Sequence, residues 1–191
     1  HTSLLHSLNR IEQLAEGRQV FITTHSSYVL NRMGIDNLHL LHHGVMANFG
    51  ELTEDTVAYF KKQSGYDTLR MVLARRLVIV EGPSDEMIFK RAYFDQTGRT
   101  TDHDQIDVIA QGTRNRRGLE LCAALDRSVT VLRDTDDQTP EYWREKARQW
   151  LEPGKREMFV GDPDFGKTLE PQVVNTNIQA GSDYEARLRR V

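Results

Sequence analysis

Two short, β-branched apolar runs end in carboxylates: Leu77 to Glu86, LVIVEGPSDE, and Val129 to Asp136, VTVLRDTD. A continuous apolar strand of this kind is buried on both faces of a parallel sheet. Such sheets bind ligands beyond the carboxyl ends of their strands. Glu81 and Asp85 from the first run, and Asp134 and Asp136 from the second, are therefore expected at one sheet edge. Carboxylates gathered there repel one another unless a cation lies between them or one keeps its proton. Oxygen ligands without Cys or His suit magnesium or manganese rather than zinc. Taken singly, 134–137 also reads as a solvated loop and Glu81 as a helix-capping acid. The order of the two runs, with room for a crossover between them, favours the metal site.

Composition narrows the class. The 191 residues are 38% hydrophobic and 28% charged, enough for a core in a globular chain. No apolar run approaches membrane-spanning length and no signal-peptide pattern is present, so the expected location is the cytoplasm, with no membrane partner. The single Cys122 excludes an internal disulfide framework and a Cys-based zinc site, and it lies in the apolar run LCAAL. A net charge of −3 does not advertise nucleic-acid binding, but an acidic metal site would offset local basic clusters. The clusters are Arg114, Arg116 and Arg117; Arg187, Arg189 and Arg190; and Arg75 with Arg76. Each alone reads as readily as a solvated surface.

In chain order, Leu4, Leu5, Leu8, Ile11, Leu14 and Ala15 recur at helical spacing and predict a helix over Thr2 to Glu16, ended by Gly17. Gln19 to Thr23 reads as a strand running into Thr24, His25, Ser26 and Ser27, with either serine able to cap a helix closing near Gly34. Asn37 to Leu41 and Val45 to Asn48 predict a hairpin that exposes its histidines rather than binding zinc. A helix over Thr53 to Lys62 and another capped by Asp67 follow, with the domain boundary in Gln63 to Asp67. The units are thus 1–66 and 67–191. After the boundary come the strand Leu77 to Val80, a helix over Ser84 to Tyr93 bearing Met87, Ile88 and Ala92, the strand Ile106 to Ala110, a helix over Leu119 to Asp126, and the second acidic strand. Strand and helix alternating at this spacing imply right-handed crossovers and an α/β fold with a parallel sheet. The chain begins at His1, which points to a piece of a longer protein.

FITTHSSYVLNRMGIDNLHLL resembles the switch-histidine region of ABC-type ATPases joined to nucleases and DNA-repair machines. The resemblance implies that His25 contacts the γ-phosphate of ATP in the full-length protein. The phosphate-binding glycine loop is not in this sequence, so the chain alone is not expected to hydrolyse ATP.

VEGPSDE followed by LRDTDD resembles the TOPRIM fold, in which a glutamate after the first strand and an Asp-x-Asp after the third bind divalent metal in topoisomerases, primases and several nucleases. An ABC-type switch region running into a TOPRIM domain resembles the OLD (overcoming lysogenisation defect) family of ATP-dependent endonucleases. The resemblance implies metal ligation by Glu81, Asp85, Asp134 and Asp136. It also implies a further acidic element, best matched by Thr168 and Glu170 in KTLEPQVV, with Asp183 and Glu185 as the rival. Glu81, Asp85, Asp134, Asp136 and Glu170 are more carboxylates than one magnesium needs, which favours two magnesium or manganese ions and metal-assisted phosphodiester hydrolysis.

DNA is the expected partner, with Arg114, Arg116, Arg117 and Lys167 as backbone contacts. The resemblance further implies a homo-oligomer formed through the ATPase domain and a role in defence against phage. The family's downstream lysine has no match before Val191, so the chain is expected to hold the metal-binding shell without the whole catalytic site. Trp143 and Trp150 stand two helical turns apart, which suits core packing better than base stacking. Other TOPRIM chemistry, as in topoisomerases or primases, and a magnesium-binding regulatory α/β module are the alternatives. None of the six tyrosines has an identifiable catalytic setting and one cysteine cannot build a primase's zinc module.

Overall fold

Four segments after residue 75, three of them largely apolar, pair into one parallel sheet, and the α/β unit is arranged around it. The structure is a computed structural model, and it describes residues 2–24, 26, 29, 38–42, 45–48, 50, 52–62 and 65–179. In chain order the elements are α1 (Thr2–Leu14), β1 (His39–His42), β2 (Val45–Asn48), α2 (Glu54–Lys62), α3 (Gly65–Leu73), β3 (Arg76–Val80), α4 (Pro83–Thr97), β4 (Ile106–Ala110), α5 (Asn115–Ala124), β5 (Val129–Arg133), α6 (Pro140–Ala147), β6 (Arg156–Val160) and α7 (Leu169–Gln179).

The first segment agrees with its sequence pattern in part. Helix α1 follows the apolar period and ends in a turn at Gly17, which takes the left-handed φ of 72° that glycine tolerates best. Strands β1 and β2 form the expected antiparallel hairpin, with His39 opposite Asn48. The strand expected at Gln19 to Thr23 is not formed. No strand lies beside it among the described residues to satisfy its backbone groups, and Val20, Phe21 and Ile22 are exposed. His25 and the residues around the helix expected after it, except Ser26 and Val29, lie outside the described residues, as do Asp183 and Glu185.

Helix α2 is tied to the α/β unit by a buried carboxylate. Glu120 of α5 accepts from the Thr53 amide at 2.5 Å and from the Thr56 hydroxyl at 2.7 Å, at the positive end of α2. Leu52 and Phe60 join the same apolar core as Met71, Val72, Leu119 and Ile79.

The sheet order is β4-β3-β5-β6, all parallel, with Leu77 level with Val129 and with Asp107. Side chains alternate along the strands: Leu77 and Ile79 face the main core with Val129 and Val131, while Val78 and Val80 face a smaller one with Val108. Burial on both faces explains why β3 reads as an unbroken apolar run. Helix α4 covers the smaller core through Phe89, with the Tyr93 ring against that of Phe89, while Met87, Ile88 and Ala92 are exposed. Glycine at 118 lets α5 lie close on the sheet, because a Cβ there would sit 2.4 Å from Ile79 Cδ1. Strand β6, which the sequence pattern did not suggest, extends the sheet beyond β5.

Strand order fixes where a ligand can bind. From β3 the chain crosses to β4 on one side, and from β5 it crosses to β6 on the other. The crevice between the carboxyl ends of β3 and β5 is thus the topological switch point, where open α/β sheets take ligands.

Candidate metal centre at the sheet edge

The residues that leave β3 and β5 at this crevice are Glu81 and Asp134. The Asp134 amide approaches Glu81 Oε1 at 3.4 Å. The backbone of Glu81 is pinned by the Gly112 amide, which donates to its carbonyl at 2.8 Å. Asp85 lies in the first turn of α4 and accepts from the Gly82 amide at 2.9 Å through Oδ2. After β5 the chain turns sharply, with Asp136 and Asp137 both at left-handed φ (48° and 62°).

That turn docks on the loop before α7. The Asp136 amide and the Thr135 hydroxyl both donate to the Lys167 carbonyl, at 3.3 and 3.2 Å. The Leu169 amide, at the start of α7, donates to Asp134 Oδ2 at 3.3 Å. Thr168 and Glu170 are thereby brought to the same edge, joined by a hydrogen bond of 2.9 Å from the Thr168 hydroxyl. The Lys167 ammonium is paired with Asp137.

The charges feel one another. Burial raises the Glu81 carboxyl from its ordinary 4.5 to about 7; Arg133 opposes this, and Asp136 and Asp134 add to it. Burial likewise raises Asp134 from 3.8 to about 6, with Asp85, Asp136 and Glu170 contributing repulsion. Glu170 is held below the usual range by its own backbone amide and the Thr168 hydroxyl. The other four carboxylates singled out in the sequence, Glu81, Asp85, Asp136 and Glu170, are therefore within electrostatic reach of Asp134.

One cation is built into this cluster, and sequence reasoning gave it no role. Arg133 ends β5 with its side chain only 4% exposed, against 13% for Glu81, which its Nη1 approaches at 3.5 Å. Its Nη2 donates to Asp136 at 3.0 Å, and its Nη1 donates to Asn115 Oδ1 at 3.2 Å. The guanidinium lies over the Trp143 ring, 3.5 Å from its centroid, while Trp143 Nε1 donates to the Thr135 carbonyl at 2.8 Å. The sequence held a signal: position 133 continues the inward register of Val129 and Val131, where an arginine needs buried partners.

The donor chemistry fits a hard divalent cation, since every candidate ligand is an oxygen, and burial, with repulsion between the carboxylates adding to it, raises Glu81 and Asp134 so that a cation there would favour their charged forms. As placed, each carboxylate is satisfied within the protein, and among the described residues no three acidic, histidine or cysteine groups stand close enough to share one ion. Arg114 sits in the short 3₁₀ turn Gly112–Arg114 after β4, and Arg116 and Arg117 in the first turn of α5, which begins four residues earlier than expected. They leave the same edge of the all-parallel sheet as the carboxylates.

Among the described residues, no helix is long and apolar enough to cross a membrane. Comparison with curated proteins and with solved structures gave no match. Residues 72–136 match the family model described as overcoming lysogenization defect protein-like, TOPRIM domain. That segment runs from the end of α3 through β5 to Asp136 and carries Glu81, Asp85 and Asp134. A four-stranded parallel sheet flanked by helices is the architecture of a TOPRIM fold, and over this third of the chain the protein is similar to the TOPRIM domain of the overcoming-lysogenisation-defect-like family.

Proposed function

We propose that the chain carries the TOPRIM part of an OLD-type, ATP-linked DNA endonuclease that uses magnesium or manganese. The observation that carries this reading is the convergence of Glu81, Asp85, Asp134, Asp136 and Glu170 on the switch point between β3 and β5. The matched domain type points to metal-dependent nuclease chemistry. Glu81, Asp85, Asp134, Asp136 and Glu170, with Thr168, would hold the ions, and five carboxylates favour two ions over one. Divalent ions bound there lower the pKa of water and stabilise charge on a phosphodiester.

The protein's own residues orient this shell. Arg133 holds Glu81 and Asp136 from within, the Leu169 amide fixes one oxygen of Asp134, and the Gly82 amide fixes one of Asp85. Arg114, Arg116 and Arg117 are backbone contacts for DNA in this reading, and Lys167, beside the cluster, is a fourth. The division into 1–66 and 67–191, with His25 as a γ-phosphate contact at the end of an ABC-type ATPase domain and assembly through that domain, rests on the sequence resemblance alone.

The test is nicking of supercoiled plasmid in manganese by the full-length protein and by its Asp134→Ala variant. Loss of nicking in the variant supports the reading. Equal nicking by both removes the metal-nuclease assignment.

A further inference from the structure

A cleft of about 230 Å³ adjoins the carboxylate cluster through Arg133, which lines it and contacts Glu81 and Asp136, and none of its lining residues is acidic. Arg133, Asn115 and Trp143 line it, and Arg114, Arg116, Arg117 and Lys146 add four more cations. Arg114, Arg116 and Lys146 have no carboxylate partner among the described residues and lie instead over the rings of Tyr59, Trp150 and Tyr142. Cations that rest on aromatic faces remain free to bind an anion.

Two buried groups of the lining point the same way. Asn115 is 2% exposed, yet its Nδ2 has no acceptor among the described residues, and Arg133 Nε has none either. The amide orientation of Asn115 is set, because its Oδ1 takes the hydrogen bond from Arg133 Nη1. Asn115 also begins α5, and the residue before it, Arg114, makes no side-chain cap, so the positive end of the helix adds to the cationic character of this lining.

Size and charge select the ligand class. The cleft is smaller than the roughly 300 Å³ at which pockets for whole small molecules begin. A phosphate group is compact, carries one to two negative charges and offers several acceptor oxygens suited to guanidinium forks. We propose that this cleft is a phosphate-group site beside the acidic centre, taking one phosphate of a nucleic-acid strand whose neighbouring phosphodiester lies at the carboxylates. The identity of the strand rests on the nuclease reading, but the anion binding does not. Arg133 is shared by the two sites, so a phosphate in the cleft and the carboxylates Glu81 and Asp136 are held in fixed relation.

The experiment measures binding in EDTA, where no cleavage occurs, by fluorescence anisotropy of a single-stranded octanucleotide carrying either a 5′-phosphate or a 5′-hydroxyl, with inorganic phosphate as competitor. The octamer is expected to bind, phosphate to displace it, and Arg116→Glu or Lys146→Glu to weaken binding about tenfold or more. Arg116 and Lys146 are exposed, so the variants keep the core intact. Arg148→Glu, outside the cleft and already facing Glu145, should change little. Tighter binding of the phosphorylated strand identifies a terminal phosphate as the source, and equal binding identifies a backbone phosphate. Failure of phosphate to compete, or equal weakening by Arg148→Glu and Lys146→Glu, overturns the proposal. Octamer binding that persists in an Asp134→Ala variant which still nicks plasmid would keep the phosphate site and sink only the metal reading.

Discussion

Replacing Glu81 with Gln should reverse part of the pH dependence of stability in the metal-free protein. Burial raises this carboxyl to about 7 in the fold from 4.5 in the open chain. The folded state therefore binds the proton more tightly, so the stabilisation is fully present below pH 4.5 and is lost as pH rises through about 7. Between pH 5 and 8 the linkage amounts to about 2 kcal/mol after allowing for the 13% of the side chain that stays exposed. Gln cannot ionise and lacks this slope. Its lost contact with Arg133 shifts stability at every pH, so the informative quantity is how the difference between the two proteins changes with pH. Urea unfolding in EDTA at pH 5, 6, 7 and 8 measures it. The variant should gain about 2 kcal/mol relative to the parent across that range. A difference that stays flat within error refutes the claim that Glu81 is ionised under strain at neutral pH.

Further outcomes follow from the same geometry. Because Glu81 and Asp134 must give up protons to bind a cation, affinity for Mn²⁺ should rise steeply from pH 5 to pH 8, read by calorimetry, and a flat profile would contradict the raised values. Arg133→Met should lower stability at pH 8 by about 3 kcal/mol, since it leaves Glu81 and Asp136 without their buried counter-charge; an unchanged urea midpoint would deny Arg133 that role. Gly118→Ala should destabilise by about 1–2 kcal/mol, as the overlap with Ile79 outweighs the better helix propensity of alanine. Glu120→Ala should free α2 from the α/β unit and open the segment around Thr53 to proteolysis, with cleavage at the parental rate as the contrary result.

How far the chain was legible depended on where its information lay. The β3 and β5 runs announce themselves because burial selects a largely apolar, β-branched stretch, Leu77 to Val80 in β3 and Val129 to Leu132 with only Thr130 between in β5, and the acids that follow mark the edge. From there the parallel sheet and the meeting of Glu81 with Asp134 could be anticipated, and the loop carrying Thr168 and Glu170 does dock beside them. Strand β6, REMFV, escaped notice because it is short, opens on two charged residues and buries only Met158, as expected of a strand at the sheet edge. Helix α4 was expected, but which of its apolar residues turn inward was not legible: Phe89 packs on the smaller core, whereas Met87 and Ile88 face outward, a rotation that propensity alone does not fix. Gln19 to Thr23 has strand composition, but a strand forms only beside another. Arg133 was the main omission, since its role arises from tertiary contacts with Glu81, Asp136, Asn115 and Trp143.

The central claim is that the carboxylates between β3 and β5 form a divalent-cation site, and Mn²⁺ binding followed by electron paramagnetic resonance at pH 8 tests it without relying on turnover. Titrating the protein into Mn²⁺ should remove the signal of the free aqueous ion, and Asp134→Asn should restore most of it. Equal loss of signal with the parent and with Asp134→Asn, or no loss with either, would contradict the account.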